Sequence, residues 1–223
     1  MKILITGAGR GGLSLGIHLQ GVGHDVTIVE RDSAITQRAA DEHGLVVLVG
    51  DATSSEVLRQ ADPQRADAVL AMLHRDADNL AVAMLARQLG AKRVMVRMRD
   101  PDYREVYESA GVQQILSETE ILVGALATAV EFEAVRHSMV LGAGAAIAVE
   151  IEVPADAWVV GRAVSEIAQE PSFPPSCVVA GMTLGGAVQA PRGAAVIEAG
   201  TQLLLVAARR DLPEAVAFFR RTR

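Results

Sequence analysis

The run GAGRGG, Gly7 to Gly12, carries the clearest chemistry in the chain, with Gly7, Gly9 and Gly12 in the G-x-G-x-x-G spacing. Each glycine has a task. The first permits a tight turn, the second lets backbone approach a pyrophosphate, and the third lets a helix pack close against a strand. Amides at the start of that helix would face the anion. Glu30 follows where such a motif places a carboxylate for the two ribose hydroxyls. A 2′-phosphate would meet like charge there, so NADP is disfavoured. Arg31, beside it, is solvated, lies over an adenine edge, or pairs a phosphate. Asp51 and Thr53 in the run GDAT stand at the end of the third strand, where ligands gather, or else cap the next helix. His74 is the acid/base candidate, with Asp76 or Asp78 as its available carboxylate.

These residues need a frame that brings strand ends together. Short apolar runs at Ile3 to Ile5, Val26 to Val29, Leu45 to Leu48, Ala68 to Met72, Val94 to Val96 and Gln114 to Leu116 read as strands. Helical patterns fill the gaps: Leu13 to Gln20, Ala34 to Glu42, Ser54 to Gln60, Asp78 to Gln88 and Asp102 to Ser109. Continuous β-branched runs suit parallel strands buried on both faces. The expected fold is therefore α/β, a Rossmann-like doubly wound parallel sheet. From Glu118 to Arg136 the apolar spacing predicts one long helix, with Ser117 as N-cap and Glu118 and Glu120 in its first turn. Beyond it, Ala148 to Val153, Cys177 to Met182, Ala187 to Gln189 and Leu203 to Ala207 read as strands, Pro171 to Pro175 as a loop, and Pro213 to Arg221 as a helix.

Composition removes several classes of function. A net charge of −6 over 223 residues opposes nucleic-acid binding, which needs a positive field. Aromatics are 3%, too few for a base-stacking platform. Cys177 is the sole cysteine, so a disulfide or cysteine zinc site within the chain is ruled out and a reducing compartment fits. The chain opens on a strand-like run, Lys2 to Thr6, so export is not expected. The apolar stretch Ile121 to Val130 falls short of the roughly 20 residues of a membrane span. Dehydrogenase chemistry lacks its parts: Tyr103 has no lysine four residues on, and His18, His24, His43 and His137 fall on helices or turns.

GAGRGG, GDAT, VRMRDPDY from Val96 to Tyr103 and GVQQILSETE from Gly111 to Glu120, in that order, resemble the RCK domain of Trk and Ktr potassium-uptake regulators. The later runs IEVPADAWVVGRAVSEI and APRGAAVIEAGTQLLLVA look like the small RCK C-terminal domain of the same proteins. The resemblance implies residues 1–117 as nucleotide-binding domain, 118–138 as crossover helix and 139–223 as a small α+β C-terminal domain. It also implies a cytoplasmic, non-catalytic sensor of ATP and ADP or of NAD and NADH. Such sensors form dimers that assemble into a ring, commonly an octamer, beneath a membrane-embedded potassium transporter.

Carried over by position, Gly7, Gly9, Gly11 and Gly12 approach phosphates, Arg10 pairs with the terminal phosphate, and Glu30 holds ribose. Asp51, Ala52 and Thr53 border adenine, and Leu73 and His74 line the cleft. Arg97 and Arg99 match basic positions after strand five, with Asp102 as an alternative partner for Arg99. The family's Pro-Glu after the last strand of this domain is replaced by Ser117, Glu118, Thr119 and Glu120. That leaves Glu118 and Glu120 as candidates for the contact to a phosphate or its cation. In the second domain Gly200 and Thr201 replace the family's Gly-Asp, and Met182 and Thr183 replace its basic residues. Cyclic di-AMP, a C-terminal ligand of some relatives, finds few polar anchors here. The competing expectations are an NAD-dependent oxidoreductase with the second half as substrate domain, and an RCK module serving another transporter or a channel.

Overall fold

The alternation of apolar runs and helices closes into a parallel sheet. Its strands are β1 (Lys2–Thr6), β2 (Asp25–Glu30), β3 (Val46–Val49), β4 (Ala68–Ala71), β5 (Val94–Met98) and β6 (Gln114–Ser117). They lie in the order β3-β2-β1-β4-β5-β6. Helices α1 (Arg10–Gly21), α2 (Ser33–His43), α3 (Ser55–Gln60), α4 (Asp76–Gln88) and α5 (Arg104–Ser109) connect them. The computed structural model describes residues 1–141 and 144–222; Gly142, Ala143 and Arg223, inside the expected C-terminal domain, lie outside the described residues.

Both faces of this sheet are covered, which is why its strands read as unbroken apolar runs. Leu4, Val29, Val69, Val96 and Met98 pack on one face with Leu58, Val82 and Ala86 from α3 and α4. Ile3, Ile5, Val26, Ile28 and Leu70 pack on the other, with Leu13 and Leu19 of α1 against them. Each fully buried aliphatic side chain contributes about 1.5–3 kcal/mol. The strand order reverses between β1 and β4, and the crevice above their carboxyl ends is where ligands bind in such sheets.

The chain divides into two compact units, Met1–Thr119 and Glu120–Arg223. The second holds an antiparallel sheet of β7 (Val135–Leu141), β8 (Ala146–Glu152), β9 (Val178–Leu184), β10 (Ala187–Gln189) and β11 (Gln202–Ala208). Their order is β10-β9-β11-β8-β7. Helix α6 (Glu118–Glu131) leads into this unit, and α7 (Val164–Ala168) and α8 (Leu212–Arg220) belong to it. Its core joins Ile147, Val149, Ile151, Leu203 and Leu205 to Trp158, Phe218 and Phe219. The Trp158 indole N–H donates to Phe218 O at 2.7 Å. The two rings meet edge-on with centroids 5.1 Å apart, and Arg162 and Arg221 lie over the indole at 4.7 and 4.8 Å.

The expected helix to Arg136 is too long. Phe132 N donates back to Thr128 O and Val135 N to Phe132 O, closing a turn after Glu131. Val135 then enters the second core and starts β7, which pairs antiparallel with β8. Burial of Val135 and a strand ladder outweigh continued helix. His137, expected on a helix or turn, is therefore in a strand, with Nδ1 2.8 Å from Glu150. Among the described residues no helix is long and apolar enough to cross a membrane.

Cys177, just before β9, is 5% exposed. Burial pushes its thiol from 9.0 up to about 11. The fold keeps a proton that the unfolded chain releases first, so this contribution to stability is complete below pH 9 and is lost as pH rises through about 11. Iodoacetamide at pH 8 should leave native protein unlabelled by mass spectrometry and modify Cys177 only in denaturant. Rapid labelling of native protein would contradict this burial.

Candidate functional site

The glycine turn sorts its glycines by cause. Gly7 has φ +97°, a left-handed conformation that favours glycine. A Cβ at Gly12 would overlap Gly7 O, and one at Gly16 would sit 2.9 Å from Ile28 Cδ1. These positions are fixed by the approach of α1 to β1 and β2. Gly9 differs, for a Cβ there would have nothing within 4 Å, and its φ of −59° suits any residue. At Gly11 the nearest atom would be Met72 Cε at 3.6 Å.

Gly9 is also the N-cap of α1, and no side chain caps that end. The first intrahelical bond runs from Leu13 N to Gly9 O, so the preceding amides emerge from the helix end. The first turn carries no acid. Helix α2 contrasts with it: Asp32 Oδ1 accepts from Ala34 N at 2.8 Å and from Ile35 N at 3.2 Å, occupying that end. The start of α1 is thus suited to an anion supplied from outside the chain.

Glu30 closes one side of the turn. Its Oε2 accepts from Ala8 N at 2.7 Å and its Oε1 from Asp32 N at 3.0 Å. Two backbone amides therefore fix the carboxylate beside the glycines. Gly50 N donates to Glu30 O at 2.9 Å, bringing the loop after β3 to the same edge. There Asp51 Oδ1 accepts from Thr53 Oγ1 at 2.7 Å and Thr53 N at 2.9 Å. These bonds, followed by the charge of Arg31, hold the Asp51 carboxyl below its usual value. Neither Asp51 nor Thr53 caps α3, whose N-cap is Ser54 without a side-chain bond. Ala52 is buried.

Beyond β4, a Cβ on Gly7 would lie 3.1 Å from Leu73 Cδ2, so Leu73 borders the glycine turn. His74 follows, and its ring nitrogens are 3.1 Å from Arg99 Nη1. Asp76 is not the partner of His74. Its carboxylate accepts from Arg99 N at 3.2 Å, Asp100 N at 3.0 Å and Tyr107 Oη at 3.0 Å. Arg99 in turn does not pair with Asp102; its Nε is 3.5 Å from Glu118 Oε2. Arg97 donates to the same oxygen from Nε at 2.7 Å and Nη2 at 2.6 Å. Glu118 thus joins the arginines of the first unit, whereas Glu120 belongs to the second. Burial, with the Asp76 contact, raises the Tyr107 phenol far above its ordinary value.

Asn79 was not among the expected site residues. Its side chain accepts from Leu73 N at 2.7 Å and donates to Leu73 O at 3.1 Å and Arg97 O at 3.0 Å, clamping the ends of β4 and β5. It is wholly buried. The signal was its position: Asn79 shares the inward helical stripe with Val82, Ala83 and Ala86. In the second unit Met182 is core and Thr201 Oγ1 accepts from Glu198 N at 3.2 Å. A cavity of about 650 Å³ there is lined by residues including Phe132, Glu133, Arg136 and Arg220. Arg136 in it is ion-paired with Glu152.

Residues 3–118 match the family model of the TrkA-N domain, and residues 148–220 match that of the TrkA-C domain. The chain belongs to the TrkA-N family. A Trk system potassium uptake protein TrkA homolog of Methanothermobacter thermautotrophicus is 27% identical over 219 residues, 98% of this chain and 99% of that protein. One from Archaeoglobus fulgidus is 29% identical over 216 residues, 95% of this chain but 48% of its own length. The chain thus spans all of the first relative and about half of the second. Among solved structures the GsuK channel has a TM-score of 0.71 at 19% identity, covering 100% of this chain and 40% of the channel chain. The same channel bound to NAD gives 0.67 at 19% identity, with the same coverage. The shared fold is the parallel six-stranded sheet with helices, followed by a small antiparallel-sheet domain.

The Asn79 clamp in this TrkA-N domain yields a stability prediction. Asn79→Leu keeps the volume but leaves Leu73 N, Leu73 O and Arg97 O, in half-buried surroundings, without that partner. Urea unfolding should show a loss of about 2–4 kcal/mol. A loss below about 0.5 kcal/mol would mean that these backbone groups find other partners.

Proposed function

We propose that this chain is a non-catalytic, cytosolic regulatory subunit of a potassium uptake system, and that its first unit binds an adenine nucleotide at the glycine turn. The observation that carries the reading is the pairing of an uncapped helix start at Gly9 with the Glu30 carboxylate anchored on Ala8 N. The open space at Gly9 serves no packing need of the chain, and a diphosphate accounts for it. The amides that open α1 hold the phosphates, and Glu30 accepts the ribose hydroxyls with the lone pairs its amide bonds leave over. Arg10, exposed and outside every ion pair of the described residues, pairs with the terminal phosphate.

The names of the relatives support the potassium-uptake role. Both ATP with ADP and NAD with NADH fit the diphosphate and ribose contacts, and the GsuK complex is a precedent for NAD on this fold. No bond is made or broken in this reading. The oxidoreductase alternative is disfavoured because His74 faces a guanidinium and Tyr107 is buried on Asp76. Regulation follows from unequal affinity of two nucleotides for two conformations. Subunits associate into dimers and a ring, with α6 at a contact. Ile121, Leu122, Leu126 and Val130 on that helix are all more than half exposed. The ring docks on a membrane-embedded transporter subunit, and a cation accompanies the nucleotide.

Calorimetry on the purified chain tests this. ATP, ADP, NAD or NADH should bind, and Gly9→Ala should weaken that binding on the order of 10-fold, the loss of about one charge-assisted hydrogen bond. Its melting temperature should stay that of the parent, since the added methyl meets nothing. Arg10→Ala should remove discrimination between ATP and ADP. Absence of heat from all four nucleotides at millimolar concentration would end the proposal.

A further inference from the structure

We propose that Glu118 is an internal counter-ion that competes with nucleotide phosphate for Arg97 and Arg99, so that ligand entry breaks the ion pairs that tie Glu118 to the end of β5. The inference rests on the nucleotide reading above and gives that site its regulation. Arg97 directs two nitrogens, and Arg99 one, at a single carboxylate oxygen of Glu118. Two guanidinium groups share one carboxylate oxygen, which leaves further N–H donors on both for an incoming phosphate. It also lies within reach of the glycine turn, because Arg99 touches His74, and Leu73 before it borders Gly7.

The backbone beneath the arginines is fixed. Asp76 holds Arg99 N and Asn79 holds Arg97 O. What can move is the side-chain set, which is only partly buried: Arg97 is 24%, Arg99 41% and Glu118 48% exposed. Ion pairs at such exposure are weak enough to exchange. Thr119 Oγ1 donates to Arg99 O at 2.8 Å, so two consecutive residues tie the start of α6 to the end of β5. A phosphate that takes Arg97 and Arg99 removes the Glu118 tie and leaves the Thr119 hydroxyl bond in place. Nucleotide charge is thereby read at the start of the helix that leads out of the first unit. A glutamate that instead helps the nucleotide, through a bridging cation, would have the opposite sign, and the two roles separate in one experiment.

Titrate ATP, ADP, adenosine and inorganic pyrophosphate into the full chain and into Glu118→Gln, which is isosteric. ATP, ADP and pyrophosphate should bind Glu118→Gln about five-fold more tightly, the worth of an exposed ion pair, while adenosine binds both alike. Glu118→Asp, whose shorter arm reaches the arginines less well, should fall between, and it decides the matter if Glu118→Gln does not melt like the parent. Unchanged or weaker pyrophosphate and ATP binding in both variants overturns the proposal. If pyrophosphate behaves as expected but nothing containing adenosine binds, the counter-ion stands and the nucleotide reading falls.

Discussion

Helix α1 lies so close to the turn after β1 that no side chain fits between them at residue 12. Everything at the candidate site depends on that approach. It fixes where the first amides of α1 emerge, and with Gly7 in a left-handed conformation it sets the direction of the turn. Glu30 then reaches Ala8 N across the same gap. A wider helix would move the amides away from the carboxylate by roughly the width of a methyl group. The diphosphate and ribose contacts proposed for this site would then no longer fall on one ligand.

The two units solve the burial problem differently. The first covers both faces of a parallel sheet with aliphatic side chains, and its strands need no alternation. The second has a sheet whose apolar face is covered by Trp158, Phe218 and Phe219, and the edge-on rings and cation contacts of Trp158 give it direction. With so few aromatics in the chain, that concentration makes the second core specific where aliphatic packing alone would be permissive.

The sequence is most legible where local rules and tertiary packing agree. All six parallel strands and their helices stand close to where apolar runs and helical spacing put them, because each run is bounded by glycine or polar residues and the central strands β1, β2 and β4 are largely buried. The boundary at Glu131 was not legible. No glycine or proline ends α6, and the run VRHSMVL alternates poorly because the register shifts between Val135 and His137. Helix α7, at five residues, is too short to show a period. At the candidate site, the placement of the glycine turn beside Glu30 was readable since it follows from one local strand-turn-helix pattern. The partners of Arg99 were not. His74 and Glu118 lie 25 and 19 residues away in sequence, and the near choice, Asp102, instead donates its own N–H to Asp100.

That pattern has a physical origin. Buried polar groups at the strand ends, Asp76 and Asn79, satisfy backbone atoms and so cannot serve a ligand without unravelling the ends of β4 and β5. The partly exposed charges, Arg97, Arg99 and Glu118, are paired through contacts that water can replace. A site built this way keeps its geometry through the buried layer and its responsiveness through the exposed one. If the arginine pairs were deeply buried, breaking them would leave an uncompensated charge at a cost of about 3–5 kcal/mol, and a ligand would first have to offset that. Partial exposure lowers that barrier, and under the proposed counter-ion role a modest difference in ligand charge would then select between arrangements of the same strand ends.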